Sequence, residues 1–155
     1  MTGAAQGINQ PVFNIEKIYV KDLSLEIPHA PQIFLEHENP QIDVQLSTQT
    51  AALEGDVYEV LITNTVTAKV GEKVMFLIEA KQAGIFRVSN LPKEDLEPVL
   101  AVMCPNILFP YLREVVSSVA VRAGFSPVML NPVNFEMLYQ QHKQEQAQAA
   151  AATTH

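Results

Sequence analysis

The first half of the chain alternates apolar and polar residues with the period of two that is typical of β-strands. The run from Leu23 to Ile27 has this alternation, and three further runs of the same kind follow it. Gly71 and Glu72 separate the last two runs and suit a two-residue hairpin. The pattern predicts four antiparallel strands, which cover residues 12–27, 42–46, 58–70 and 74–80.

The first predicted strand contains a change of phase. Ile18 and Val20 stand in register with Asp22, whereas the apolar residues from Leu23 onward occupy the other phase. A β-bulge adds one residue to a strand and can return the apolar side chains to one face. We therefore expect a bulge between positions 19 and 23, or burial of both faces.

The segment between the first two strands is rich in proline. Pro28, Pro31 and Pro40 lack the backbone N–H that a strand ladder needs. The apolar cluster 33–35 lies between them. We expect a long crossover loop that carries exposed apolar residues.

The second half changes to a helical period of three or four. Asn106 can cap a helix that ends near Gly124, with Pro110 in its first turn. Apolar residues appear on both sides of this predicted helix, which is therefore expected to be buried on both sides. The two sets are Leu108, Leu112, Val115 and Val119, and Ile107, Tyr111, Val116, Ala120 and Ala123.

A last helix is predicted after Asn131 as its cap and Pro132 as its first residue. The chain then divides into a flexible leader (1–11), one domain (12–142) and a flexible Gln/Ala-rich tail (143–155). Strands followed by helices predict an α+β fold, in which the helices pack on one face of a four-stranded antiparallel sheet. The even-numbered strand residues should lie on the covered face.

The composition narrows the classes of partner. Hydrophobic residues make up 48% and charged residues 17% of the chain, so we expect other subunits to cover part of the surface. A formal charge of −7 disfavours nucleic acid and acidic lipid as partners. The N-terminal stretch does not resemble a signal peptide, and no run approaches ~18 apolar residues, so we expect a cytoplasmic protein without direct membrane insertion.

The sequence contains few candidates for a catalytic, metal or phosphate-binding site. Cys104 is the only cysteine, and it is either a nucleophile with one of four histidines or, as we favour, a buried apolar residue. His29 and His37 beside Glu36 and Glu38 allow a weak metal site, although solvated loop residues are the favoured interpretation. No glycine-rich phosphate loop occurs. We predict no catalytic residue, metal or cofactor.

Several motifs together resemble the SecB family of export chaperones. They are the strand 18–26 (IYVKDLSLE) with its following prolines, VYEV at 57–60, GIF at 84–86, CPNILFPY at 104–111 and PVNF at 132–135. The resemblance covers about residues 12 to 140. It implies a cytosolic, ATP-independent holdase that binds unfolded precursor proteins and delivers them to the SecA ATPase. It also implies a homotetramer, a dimer of dimers in which sheets enclose the long helices.

The resemblance further implies three groups of site residues. SecA would dock on Asp22, Glu26, Leu77 and Glu79; clients would bind a groove lined by Ile33, Phe34, Ile42, Val44 and Leu46; the tetramer interface would involve Phe76, Ile78, Ala80 and Gln82. SecB-like chaperones also act beside toxin–antitoxin pairs, but the acidic docking positions favour the export role. Many family members carry a tryptophan near position 38, where this chain has Glu38.

Overall fold

The fold is a four-stranded antiparallel sheet with helices on one face, as the sequence predicts. It comes from a computed structural model that describes residues 10–153. The sheet order is β1-β4-β3-β2, and its strands are β1 (Val12–Glu26), β2 (Gln41–Ala52), β3 (Val57–Val70) and β4 (Lys73–Ser89). The predicted leader falls almost wholly outside the described residues. A short 3₁₀ turn, Gln32–Leu35, lies in the crossover loop.

The long helix begins earlier than predicted. Helix α1 (Lys93–Pro98), a π-helical segment (Val99–Met103) and α2 (Cys104–Arg122) follow one another without a break. Asn106 is therefore not a cap, because the residues before it already have helical backbone. Pro110 lies in the interior of α2 rather than in its first turn, so one backbone hydrogen bond is missing there.

Helix α3 spans Phe135–Thr153, and its cap also differs from the prediction. The Oδ1 of Asn134, not Asn131, accepts a hydrogen bond from the N–H of Met137 at 3.0 Å. That bond to the third helical residue is the usual N-cap interaction. The helix continues ten residues beyond Lys143 with its side chains exposed. The flexibility of the tail stays a prediction.

Two β-bulges give β1 one apolar face. The pairing of β1 with β4 shifts between Ile15 and Lys17 and again between Val20 and Asp22, so Glu16 and Lys21 are the extra residues. The second shift confirms the predicted bulge. Each insertion moves the following side chains by one phase, which keeps the apolar residues of β1 on the face shared with the even-numbered residues of β4. These residues are Phe13, Ile15, Ile18, Val20, Leu23 and Leu25.

The core lies between α2 and the two central strands. Ile62 and Ile78 from the sheet meet Leu108, Leu112 and Val116 from the helix, and all five are fully buried. Burial of each such side chain contributes about 1.5–3 kcal/mol. In β2, β3 and β4 the even-numbered residues are thus on the covered face. In β1 the prediction fails, because the bulges place odd-numbered residues such as Leu23 and Leu25 there.

One part of the helix prediction is wrong. Val116 was grouped with Ile107 on a second apolar side, but nine residues at about 100° each place the two on opposite sides of a helix. Val116 and Ala120 face the sheet and are fully buried, whereas Tyr111 and Val121 are exposed. In this chain α2 is therefore buried on one side only.

The run Lys93–Arg122 has the length and hydropathy of a membrane span, with a mean hydropathy of 1.4 in its most apolar window. A core helix passes the same test. Leu108 and Leu112 are completely covered by the sheet, so in this fold the run is the core helix.

Candidate functional site

The outer face of the sheet, away from α2, brings together the four residues of the predicted docking site. Asp22 and Glu26 belong to β1, and Leu77 and Glu79 belong to β4. Glu26 lies directly opposite Leu77, and Ser24 lies directly opposite Glu79. Opposed side chains of this kind are about 5 Å apart at Cβ. These four residues form one surface, which we call the outer patch.

Beside the outer patch lies a polar cluster that the sequence analysis missed. The Nζ of Lys21 is 2.8 Å from Oε1 of Glu59, and the hydroxyl of Tyr19 donates a hydrogen bond to Oε2. The bonds from Lys21 and Tyr19 lower the pKa of Glu59. Burial, then the nearby carboxylate, raises the pKa of Tyr19 to about 12. Opposite charges at positions 21 and 59 are visible in the sequence, but only the strand order shows that they meet.

Within residues 10–153, ion pairs join Lys21 to Glu59, Glu36 to Lys73 and Glu16 to Arg87. None of these pairs involves an acid of the outer patch. The outer patch keeps a net negative charge, because its three carboxylates outnumber Lys81, which lies directly opposite Asp22 on β4.

The inner face of β2 is an open apolar surface. Helix α2 packs on β3 and β4, and it leaves Ile42 and Val44 each 47% exposed. Leu46 is partly buried. From Ile42 to Leu46 this surface extends about 13 Å along the strand. We call it the β2 groove.

A cavity lies at each end of the β2 groove. The cavity beside Ile42 measures about 310 Å³ and is lined by Ile33 and Phe34 of the crossover loop, among others. The cavity beside Leu46 measures about 330 Å³ and is lined by Phe135, Leu138, Tyr139 and His142, among others. The crossover loop and α3 thus close the two ends. Four of the five predicted client residues lie on this surface, whereas Ile33 is only 2% exposed and lies beneath it. The contribution of α3 to its far end was not assigned from the sequence.

An aromatic stack supports the crossover end of the groove. Phe34 is 46% exposed, and its ring stacks on Phe125 at 5.1 Å between centroids. Phe125 in turn packs on buried Phe76 at 4.8 Å. Gly124 has φ of +93°, and a Cβ there would lie 3.1 Å from Phe34. Ile33 is buried and anchors the loop, so Phe34 is its half-exposed contact with the groove.

The four predicted tetramer residues lie on β4 beneath α2 of the same chain. Phe76, Ile78, Ala80 and Gln82 are all at most 3% exposed. Any influence that they have on assembly must therefore pass through α2 or β1. Gln82 donates a hydrogen bond from Nε2 to the carbonyl of Tyr19 at 3.1 Å.

A second apolar surface lies where β1 meets the outward side of α2. Val20 and Leu23 are 43% exposed, and Tyr111 is 50% exposed. A 480 Å³ cavity between β1 and α2 is lined by Ile18, Val20 and Tyr111, among others. β1 is also an edge strand of the sheet. We call this surface the β1 face.

The buried thiol of Cys104 supports the apolar interpretation. The residue is fully buried, and burial raises its pKa to about 12. The thiol is therefore protonated at neutral pH and is a poor nucleophile. Within residues 10–153, no group of three or more His, Cys, Asp or Glu side chains could hold a metal ion.

Comparisons with known proteins agree with this geometry. The family model described as "Preprotein translocase subunit SecB" matches residues 6–146. The protein-export protein SecB of Methylobacillus flagellatus is 60% identical over 98% of this chain and 97% of its own length. The Nitrosomonas eutropha protein of that name is 65% identical over 89% of this chain and 88% of its own.

A solved structure shows the same fold at low identity. It is a SecB-like chaperone of Mycobacterium tuberculosis in complex with an antitoxin peptide, with a TM-score of 0.65 and 18% identity over 78% of this chain and 90% of that one. The family assignment rests on the family model and the sequence relatives. The chain belongs to the SecB family and is a chaperone of protein export.

Proposed function

We propose that this chaperone binds unfolded precursor proteins in the cytoplasm without ATP and passes them to the SecA motor. It acts by burying apolar segments and by docking on its partner rather than by catalysing a reaction. The β2 groove carries the proposal. It presents apolar side chains to solvent beside an edge strand, and unfolded precursors expose apolar segments with unpaired backbone. Folded proteins bury those segments, so they are poor ligands for such a groove.

The groove can bind an extended chain without recognising a specific sequence. Ile42, Val44 and Leu46 lie two residues apart on one face of β2, which matches the spacing of alternate side chains in an extended ligand. Within this sheet β2 pairs only with β3, so its other edge can pair with ligand backbone. Cavities at both ends accept larger side chains.

Self-assembly into a homotetramer, a dimer of dimers, is part of the proposal. The β1 face exposes apolar residues of the sheet and of α2 together, and β1 is a long edge strand of 15 residues. A second copy can cover both features by pairing strands and packing helices. Four groove-bearing subunits then give one client several weak contacts, which raises the overall affinity.

The outer patch is the proposed docking site for SecA. Three carboxylates lie on the same face as Leu77, so a basic partner gains long-range attraction from Asp22, Glu26 and Glu79 and apolar contact from the leucine. A basic, zinc-bearing C-terminal segment of SecA fits this chemistry. The patch lies on the face opposite the groove side chains, so client and motor can bind at the same time.

The holdase activity is tested by delay of aggregation of a denatured secretory precursor after dilution. Val44→Gln should reduce the delay several-fold because it places an amide in the groove. Asp43→Gln is the matched control, since residue 43 is adjacent but on the outer face. A parent chain that does not delay aggregation would contradict the proposed function.

A second candidate is control of an antitoxin, because the M. tuberculosis structure holds an antitoxin peptide. The acidic outer patch favours the export role, since a motor-docking surface has a use only there. Competition between an unfolded precursor and an antitoxin peptide for the groove separates the two. Preference for the antitoxin would support the second candidate.

A further inference from the structure

The bulge at Lys21 decides which side chains reach the outer patch. Val20 pairs with Gln82, whereas Asp22 pairs with Lys81, and Lys21 has no opposite residue. A shift of one residue moves every following side chain to the other face. Without the bulge, Asp22 and Glu26 would lie on the apolar face.

The inner face holds this bulge through one buried amide. Gln82 is 3% exposed, and its Nε2 donates to the carbonyl of Tyr19 at 3.1 Å, two residues before Lys21. The Oε1 of Gln82 is buried and has no hydrogen-bond partner among residues 10–153. An apolar side chain of equal size would avoid the cost of that buried oxygen. The donor group is thus the useful feature of glutamine at this position.

The outer face holds the bulge through Glu59. Its carboxylate accepts from the hydroxyl of Tyr19 and lies 2.8 Å from Nζ of Lys21. Glu59 belongs to β3, with β4 between it and β1. The small residue Ala83 lies on β4 directly opposite Tyr19, and this leaves room for side chains to cross the strand. One carboxylate therefore holds both the inserted residue Lys21 and Tyr19, two residues before it.

The other bulge of β1 is also held by an ion pair of its inserted residue. Its extra residue, Glu16, lies 2.8 Å from Nε of Arg87 on β4. Both inserted residues are thus charged and paired with a residue of another strand. Only residues 12–15 of β1 pair before this bulge. Its loss can be absorbed by a shift of that short end of the strand, so it provides an internal control.

We infer that Gln82 and Glu59, from opposite faces of the sheet, hold the bulge at Lys21 and act as positioning residues for the outer patch. They place Asp22 and Glu26 beside Leu77 and Glu79 without touching the partner. The inference rests on the proposed docking of SecA. By this inference Gln82, whose side chain lies on the inner face, helps to determine which residues form the outer patch.

A disulfide assay tests the register without any partner. Ser24 and Glu79 are directly opposite on the outer face, so cysteines at both positions should oxidise readily. In backgrounds with Gln82→Met or Glu59→Gln the rate should fall about threefold or more, because register slippage turns residue 24 inward. Arg87→Gln should leave the rate unchanged. Equal rates in all four backgrounds overturn the inference.

A binding assay then tests the consequence, with a zinc-loaded C-terminal segment of SecA as the probe. Gln82→Met should weaken its binding about tenfold. Asp22→Lys should weaken binding in the parent but by less than about twofold in the Gln82→Met background, because the two changes remove the same interaction. Full additivity contradicts positioning. If the parent does not bind the segment, SecA docking fails, while the disulfide rates still decide the role of the bulge.

Discussion

At the scale of single residues, the two faces of β4 differ in exposure and in proposed role. Leu77 and Glu79 project outward, whereas Phe76 and Ile78 are buried beneath α2. Charge changes on the outer residues alter the potential seen by a partner, and they leave the core untouched. Docking and folding are therefore separable by mutation along one strand.

Glu79→Lys should weaken binding of SecA about tenfold, because it reverses one of the three negative charges of the outer patch. The size of the particle and the binding of clients should not change. Calorimetric titration with SecA measures the effect, and Gln49→Lys on the outer face of β2 is a matched control. A loss of assembly in Glu79→Lys would show that residue 79 is not on a free face.

The cluster around Glu59 predicts a dependence of stability on pH. Its pKa is lowered in the folded state from an ordinary value of 4.5. The pair with Lys21 therefore stabilises the fold above that value, and the contribution is lost as pH falls through the folded pKa. In urea unfolding, Glu59→Gln should be less stable than the parent by less than about 1 kcal/mol at pH 7.

The difference should shrink as pH falls below 4.5, where the carboxylate is first protonated in the unfolded chain, and it should be lost below the lowered pKa of the folded state. Arg87→Gln removes a different pair and serves as the comparison. An equal difference between Glu59→Gln and the parent at pH 7 and pH 3 would argue against a role for the ionised carboxylate.

At the scale of elements, α2 approaches β4 closely because Gly84 lacks a side chain. A Cβ at this position would lie 2.7 Å from Cε2 of Phe86 and 2.9 Å from Cδ2 of Leu108. Gly84→Ala should lower the free energy of unfolding by about 1–3 kcal/mol through overpacking. Urea denaturation measures it, with Ser89→Ala near the end of the same strand as control. An unchanged midpoint would mean that the helix can move outward freely.

Much of the sheet could be predicted from the sequence, because strand alternation and the phase change at 19–23 are local signals. The helix starts could not. The cap assigned to Asn106 placed the start of the long helix too late, and the π-helical segment Val99–Met103 has no local signature. Asn106 and Asn131 are good caps by residue type, but tertiary packing decided where helical backbone begins. The Phe34–Phe125 stack and the Gln82 bond join distant residues, so they required the fold.

At the scale of the whole molecule, the single chain leaves apolar surface on two sides of α2. The β2 groove is the proposed client site, and the β1 face is the proposed contact with a second copy. Light scattering should give about 70 kDa, four times the 17.1 kDa chain. Leu23→Lys on the β1 face should shift the mass toward smaller species, whereas Thr67→Lys on the outer face should not. A monomeric parent would contradict the proposed assembly.

The buried thiol of Cys104 has a practical consequence. As the sole cysteine, fully covered and protonated at neutral pH, it should stay unreacted during brief maleimide treatment of the native protein. A fluorophore can thus be placed at one new surface cysteine without first removing the native one. Motions of the crossover loop or of α3 during client capture then become accessible to single-molecule energy-transfer measurements in an otherwise unaltered chain.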